Sequence, residues 1–177
     1  MTALAEFAML SHGWRRVLLL ILAGSLAGLS AAPMFVLPGL FIGLSILVWV
    51  LDGAERPHRL WRRLVGPAFW AGFWFGLGYF LVSIHWIGAA FFVDGGWGLM
   101  AMPFAITGLC AVLAIFWGAG TAIAHLLWSE GSMRLFALAF GLALADFARG
   151  HLFTGFPFNL LGYALTANPE MMQAASL

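Results

Sequence analysis

Asp146 and Arg149 stand three residues apart in a chain that has only seven acids and eight bases, every base an arginine. At that spacing a carboxylate and a guanidinium share one face of a helix and can neutralise each other. Two roles are open to such a pair. It can be structural, lowering the cost of holding two charges near hydrocarbon. It can also anchor a functional loop, with the guanidinium offering a lipid phosphate a charge-assisted, bidentate hydrogen bond. The stretch that follows, "RGHLFTGFPFNLLGY" from Arg149 to Tyr163, collects three glycines, a proline, a histidine, an asparagine and a tyrosine among aromatics. His85, in "SIHWIGAAFF", is a further polar residue in an apolar run, placed either to bond a neighbouring helix or to meet a lipid. No HExxH, CxxC, GxSxG or P-loop pattern occurs, so no catalytic set, metal site or cofactor site is read from the sequence. The single cysteine, Cys110, lies in "TGLCAVLAIFW", a setting for a buried, inert thiol rather than a nucleophile.

The elements that must carry these residues are membrane helices. Hydrophobic residues make up 63% of the chain, charged residues 8%, and the mean hydropathy is +0.99. Soluble domains are about half apolar and about a quarter charged. A net charge of +1 gives no field that would gather nucleic acid. Charge-free runs cover Val17 to Leu51, Leu64 to Val93, Gly95 to Ser129 and Leu135 to Ala145. A crossing needs roughly 20 apolar residues, so the first run holds two short helices, broken at "SAAPMFVLP" by Pro33 and Pro38. The expected fold is an all-α integral membrane protein, a polytopic bundle of about five transmembrane helices near 13–30, 34–51, 64–91, 99–128 and 132–149. Gly150 is placed to stop the fifth. A loop over 150–168 and the start of a further segment over 169–177 complete the chain.

Arginine placement sets the orientation, because short Arg-rich loops stay cytoplasmic. Arg15 and Arg16 precede the first helix, Arg56, Arg59, Arg62 and Arg63 follow the second, and Arg134 precedes the fifth. The N-terminus is therefore cytoplasmic and the 150–168 loop extracytoplasmic. A rival reading takes "WRRVLLLILAGSLAGLSAA" as a cleaved leader; cleavage there would leave the next Arg loop on the wrong side. The pairs Gly24 and Gly28, Gly39 and Gly43, and Gly72 and Gly76 have the spacing of close helix crossings in lipid. Trp14, Trp61, Trp97 and Trp128 fall near span ends as interfacial anchors, and His12, His58 and His125 as interfacial residues.

"TGFPF" and then "GY" after an Arg-Gly at the outer end of a fifth membrane helix resembles the membrane domain of bacterial apolipoprotein N-acyltransferases. "AAPMFVLPGL", the Arg-rich first loop and "GFWFGLGYFLVSIHWI" strengthen the likeness, which covers essentially the whole chain. Phe158 stands where that family often has Trp. The resemblance implies an enzyme of the bacterial cytoplasmic (inner) membrane that takes an acyl chain from a membrane phospholipid. It passes that chain to the N-terminal diacylglyceryl-cysteine of an apolipoprotein through a cysteine thioester. It also implies a C-terminal nitrilase-like domain carrying the catalytic Glu-Lys-Cys set, which these residues do not include, so this chain alone is expected to be inactive. Its expected share is to anchor the enzyme and form a lipid-facing cleft, with Arg149, Asp146, Thr154, Phe156, Pro157, Phe158, Tyr163, His85 and Trp86 as the lipid- or substrate-facing residues. The alternatives are a small transporter or channel subunit, disfavoured by the lack of a midplane charge or internal repeat, and a non-catalytic membrane scaffold.

Overall fold

Prolines and glycines decide where the apolar runs become helices. The computed structural model describes residues 3–55, 58–94, 97–153 and 155–173, and among them every regular element is helical. The α-helices are α1 (Ala3–Leu10), α2 (Gly13–Gly28), α3 (Leu37–Asp52), α4 (Leu60–Leu64), α5 (Pro67–Ser83), α6 (Phe91–Asp94), α7 (Trp97–Leu126), α8 (Met133–His151) and α9 (Pro169–Met172). Single 3₁₀ segments cover His85–Ala90 and Leu161–Ala167. Pro38 and Pro67 both sit in the first turn of their helices, where a missing N–H leaves no bond unmade. The second helix accordingly starts at Leu37 rather than at residue 34.

The expected helix over 64–91 is three pieces. Pro67 ends whatever runs in from α4 and starts α5. At the other end, side chains take the carbonyls that a longer helix would have used. His85 Nδ1 lies 2.6 Å from the Val82 carbonyl, and Asn159 Nδ2 donates to the Ser83 carbonyl at 2.9 Å. The chain tightens into 3₁₀ geometry from His85. The fifth helix also differs at its end: α8 continues through Gly150 to His151 and stops at an extended Leu152. The turn beyond supplies the missing donors, with Phe156 N–H on the Arg149 carbonyl at 2.9 Å. α1, at Ala3–Leu10, was not anticipated by the periodicity; it buries Ala5 and Ala8 and packs on α3.

α5 is the centre of the assembly, packed between α2 and α7; α3 lies outside α2, and α8 outside α7. The small-residue pairs make these crossings. A Cβ on Gly24 would overlap the Phe75 carbonyl, one on Gly43 would sit 2.5 Å from the Ala23 carbonyl, and one on Gly72 would overlap Thr121 Oγ1. Gly120 and Gly141 do the same for α7 on α8, each facing the other's carbonyl. Close backbone approach replaces the hydrophobic drive that helices lack in lipid. α2, the segment that resembles a leader, is thus a core element with Leu20, Ala23, Gly24 and Ala27 buried.

Among the described residues one helix, Gly98–Leu126, is long and apolar enough to cross a membrane by length and composition, and Leu37–Asp52 is a shorter apolar helix. Phe41, Phe104, Val112, Ile115, Phe136, Phe140 and Phe147 all face outward. Apolar exteriors of that reach mark a membrane or a partner surface.

Antiparallel helices give the bundle two ends. Arg16 Nη2 donates to the Val50 carbonyl at 3.3 Å, and Arg134 pairs with Asp52 at 2.8 Å, so the start of α2, the end of α3 and the start of α8 meet at one end. Trp128, read from the sequence as an interfacial anchor, is instead buried there, its indole N–H on Asp52 Oδ1 at 3.0 Å. His125 is buried beside it rather than at the surface. Trp14 and Trp61 are exposed; Arg56 and the side chain of Trp97 lie outside the described residues. The opposite end holds the end of α5, the end of α8 and the turn from Leu152 to Ala167.

Candidate functional site

Asp146 is the hub of that opposite end. α8 presents its carboxylate toward α7, where Oδ1 accepts the Trp117 indole N–H at 2.9 Å and Arg149 Nη2 at 3.0 Å. Oδ2 accepts the backbone N–H of Leu161 at 3.3 Å. Arg149 reaches in the other direction, donating from Nη1 to the Phe158 carbonyl at 2.7 Å. One ion pair thereby holds both sides of the turn, through Phe158 and through Leu161. The guanidinium lies 5.0 Å from the centre of the Phe80 ring, a cation–π distance. Trp117 stacks on Phe75 and meets the Tyr79 ring at a tilt, so the indole that orients Asp146 is itself fixed.

A second pair of bonds ties the turn to α5. Tyr79 Oη donates to the Asn159 carbonyl at 3.3 Å while Asn159 Nδ2 donates to the Ser83 carbonyl, so the last turns of α5 grip one residue through both its backbone and its side chain. Asn159 has φ +53°, a left-handed geometry that Asn tolerates better than most residues. Gly155, with φ +72°, packs so close to the Gly150 carbonyl that a Cβ would lie 2.6 Å from it. That contact gives a physical reason for the glycine in "TGFPF". Tyr163 closes the far side, its hydroxyl on the Pro157 carbonyl at 3.1 Å.

Residues 23–177 match the family described as the apolipoprotein N-acyltransferase N-terminal domain. The chain belongs to that family. It is 43% identical over 178 residues to the apolipoprotein N-acyltransferase of Allorhizobium ampelinum, covering all of this chain and 34% of the relative. It is 42% identical to that of Rhodopseudomonas palustris over all of this chain and 32% of the relative, and 44% identical to that of Brucella suis over 98% and 33%. The chain thus spans about a third of the length of the curated relatives it matches, at the N-terminal end of the family. Those relatives carry the name of an acyltransferase.

Within this N-acyltransferase domain the anticipated residues divide into two groups. Trp86, Phe158 and Tyr163 are half-exposed and line a cavity of about 380 Å³ with Ala31, Pro33 and Asn159. Trp86 meets Phe158 edge-on at 6.3 Å, and Phe156 meets Phe158 at 5.3 Å. Pro157 and His85 are exposed close by, and Phe153 is 92% exposed at the tip. Arg149 belongs elsewhere. It is 1% exposed, so its expected place among headgroup-facing side chains is corrected: Nη1 and Nη2 each bond inside the protein, and Nε is buried with no partner among the described residues. Asp146 is largely enclosed with it. Thr154 lies outside the described residues.

Sequence reading missed Trp117, Tyr79, Phe80 and Asn159. Trp117 and Phe80 carry no signal beyond greasiness. Tyr79 did carry one, since the chain has only two tyrosines and both turn out to bond carbonyls of this turn. Among the described residues no group of three or more His, Cys, Asp or Glu is placed to hold a metal ion. Cys110 is buried in α7 among apolar neighbours. What the arrangement can do is hold a rigid, aromatic-lined rim at one end of a helical bundle.

Proposed function

We propose that this chain is the membrane part of an apolipoprotein N-acyltransferase of the bacterial cytoplasmic membrane, and that its Leu152–Ala167 turn forms the lipid-facing rim of the active-site mouth. Five helices, α2, α3, α5, α7 and α8, cross the bilayer with the N-terminus cytoplasmic and the turn on the outer side. The arginine-rich connections then share one end, as short cytoplasmic loops do. In the whole enzyme an acyl chain passes from a phospholipid to a cysteine thiol of a nitrilase-like domain, and from that thioester to the α-amine of a diacylglyceryl apolipoprotein. Splitting the transfer in two separates donor from acceptor in time. This chain supplies none of the reacting groups; it anchors the enzyme and presents the donor.

One observation carries the reading. Arg149 and Asp146 fix the backbone at Phe158 and Leu161, and so hold Trp86, Phe158 and Tyr163 half-exposed around one cavity at the level where aromatic side chains favour the membrane interface. Buried charges thus set the rim, and exposed aromatics meet the lipid. The test has two arms. With Cys110→Ala as background, an impermeant thiol reagent should label Arg59→Cys and Phe153→Cys from opposite sides of the membrane; labelling from one side sinks the topology. In the full-length enzyme, Trp86→Ala with Phe158→Ala should slow acyl-enzyme formation from phospholipid without lowering the unfolding temperature. Unchanged acylation sinks the rim.

A further inference from the structure

α7 is longer than the bundle it belongs to, and contacts with its neighbours show at which end the excess lies. Thr121 Oγ1 donates to the Ala68 carbonyl at the start of α5, and a Cβ on Gly76 would stand 3.1 Å from Trp117 Cβ. The two helices are therefore antiparallel, and α7 runs on past Ser83, where α5 stops. Beyond that point it packs on the 3₁₀ segment and α6. A Cβ on Gly88 would lie 3.0 Å from Ile106 Cδ1 and 3.4 Å from Met102 Sδ, and one on Gly98 3.9 Å from the Phe91 carbonyl. Residues 85–94 and the first turns of α7 thus form two limbs that project from the end of the bundle where the turn sits.

The arginine-rich end fixes how far they project. Trp128, two residues past the end of α7, bonds Asp52, which also holds Arg134. Charge is costly in hydrocarbon, so the apolar layer begins near Leu126. About 30 Å of hydrocarbon takes up roughly 20 residues of helix and ends near Ile106. A headgroup layer of about 5–7 Å takes roughly four more, and the usual tilt of about 20° adds roughly one. α7 starts at Trp97, so its first turn, with α6 beside it, clears the lipid. Those projecting turns are apolar. Met100 is 69% exposed, Phe92 66%, and Leu99 is partly exposed. Met100, Phe104 and Gly108 follow one another at helical spacing on a bare side of α7, where a Cβ on Gly108 would meet nothing within 4 Å.

Hydrocarbon does not reach Met100, and water is a poor neighbour for a row of large apolar side chains. Protein is the remaining cover. The relatives matched above run to about three times the length of this chain. They continue beyond the counterpart of α9, which packs on Leu161–Ala167 at this same end of the bundle.

We propose that the projecting limbs are the seat of a protein segment from that remaining length, which lies outside the membrane with an apolar surface on Phe92, Leu99 and Met100. This seat rests on the membrane reading above and is separate from the rim, whose aromatics meet lipid at headgroup level. The limbs act as a strut that holds the rest of the enzyme at a set height over the rim.

The test uses the full-length enzyme in native membrane vesicles, with benzoylphenylalanine as a photoreactive probe. Met100→benzoylphenylalanine should cross-link, on irradiation, to a peptide of the same chain beyond the counterpart of residue 177, identified by mass spectrometry. Phe140→benzoylphenylalanine, on the exposed face of α8 beside the Gly141–Gly120 crossing, should form phospholipid adducts. A phospholipid adduct at position 100, a cross-link to another polypeptide, or no adduct there overturns the proposal. A missing lipid adduct at position 140 overturns instead the membrane reading on which it rests. Met100→Cys guards against a photoprobe that disturbs the fold. Its thiol, located by peptide mass, should react with an impermeant maleimide at least tenfold more slowly in the native enzyme than after unfolding; equal rates overturn the proposal.

Discussion

Replacing Arg149 by Gln tests how the turn is held. The side chain is buried, it is paired at 3.0 Å with Asp146, and its other bond, 2.7 Å to the Phe158 carbonyl, is a main tie on the apex of the turn. Removing it leaves Asp146 as an uncompensated, largely buried carboxylate, which costs roughly 3–5 kcal/mol. Asp146→Asn alone strands the guanidinium instead and should cost a similar amount. The double substitution removes both charges and still offers the Trp117 indole an amide oxygen. Its cost reduces to the lost bonds at Phe158 and Leu161, roughly 1–3 kcal/mol. The double variant should therefore be more stable than either single variant, with a coupling of several kcal/mol, where independent sites add to within about 0.5 kcal/mol. Unfolding in mixed micelles, followed by tryptophan fluorescence, gives the three free energies, and amide exchange over 156–163 reports the turn itself. Additive costs, or an Arg149→Gln cost below about 1 kcal/mol as for an exposed pair, would refute the clamp.

Trp117→Phe keeps the ring against Tyr79 but removes the N–H on Asp146, a bond to a charged acceptor; it should cost about 1.5–3 kcal/mol in the same unfolding assay, and less than about 0.5 kcal/mol would mean the indole is only packing. Asn159→Ala loses the bond to Ser83 and the side chain best suited to φ +53°, so amide exchange in the turn should quicken about tenfold while α2 and α3 stay protected; unchanged exchange counts against the tie to α5. Gly24→Ala drives a methyl into the Phe75 carbonyl of α5, whereas Gly108→Ala meets nothing within 4 Å. The first should destabilise by more than about 1 kcal/mol through overpacking and the second be neutral or stabilising; equal effects would mean that the glycine crossings are not tight.

Composition alone determined that this chain is all-helical and apolar on its outside, because 63% hydrophobic residues in charge-free runs leave few other ways to satisfy the backbone. Spacing alone located the helix crossings at Gly24, Gly43 and Gly72, since four residues return a small side chain to the same face. The ion pair of Asp146 and Arg149 was legible for the same reason. Only the tertiary structure decided which way that pair faces. Three-residue spacing fixes two side chains relative to each other and says nothing about which neighbour they meet, so Arg149 turned out to be buried against Phe80 and Phe158 rather than exposed to lipid. The end of α5 at Ser83 was hidden likewise, because the group that terminates it, Asn159, lies 76 residues away in sequence. Trp117, Tyr79 and the Asp52–Arg134 contact join positions between 29 and 82 residues apart, and such pairings exist only once the helices have packed.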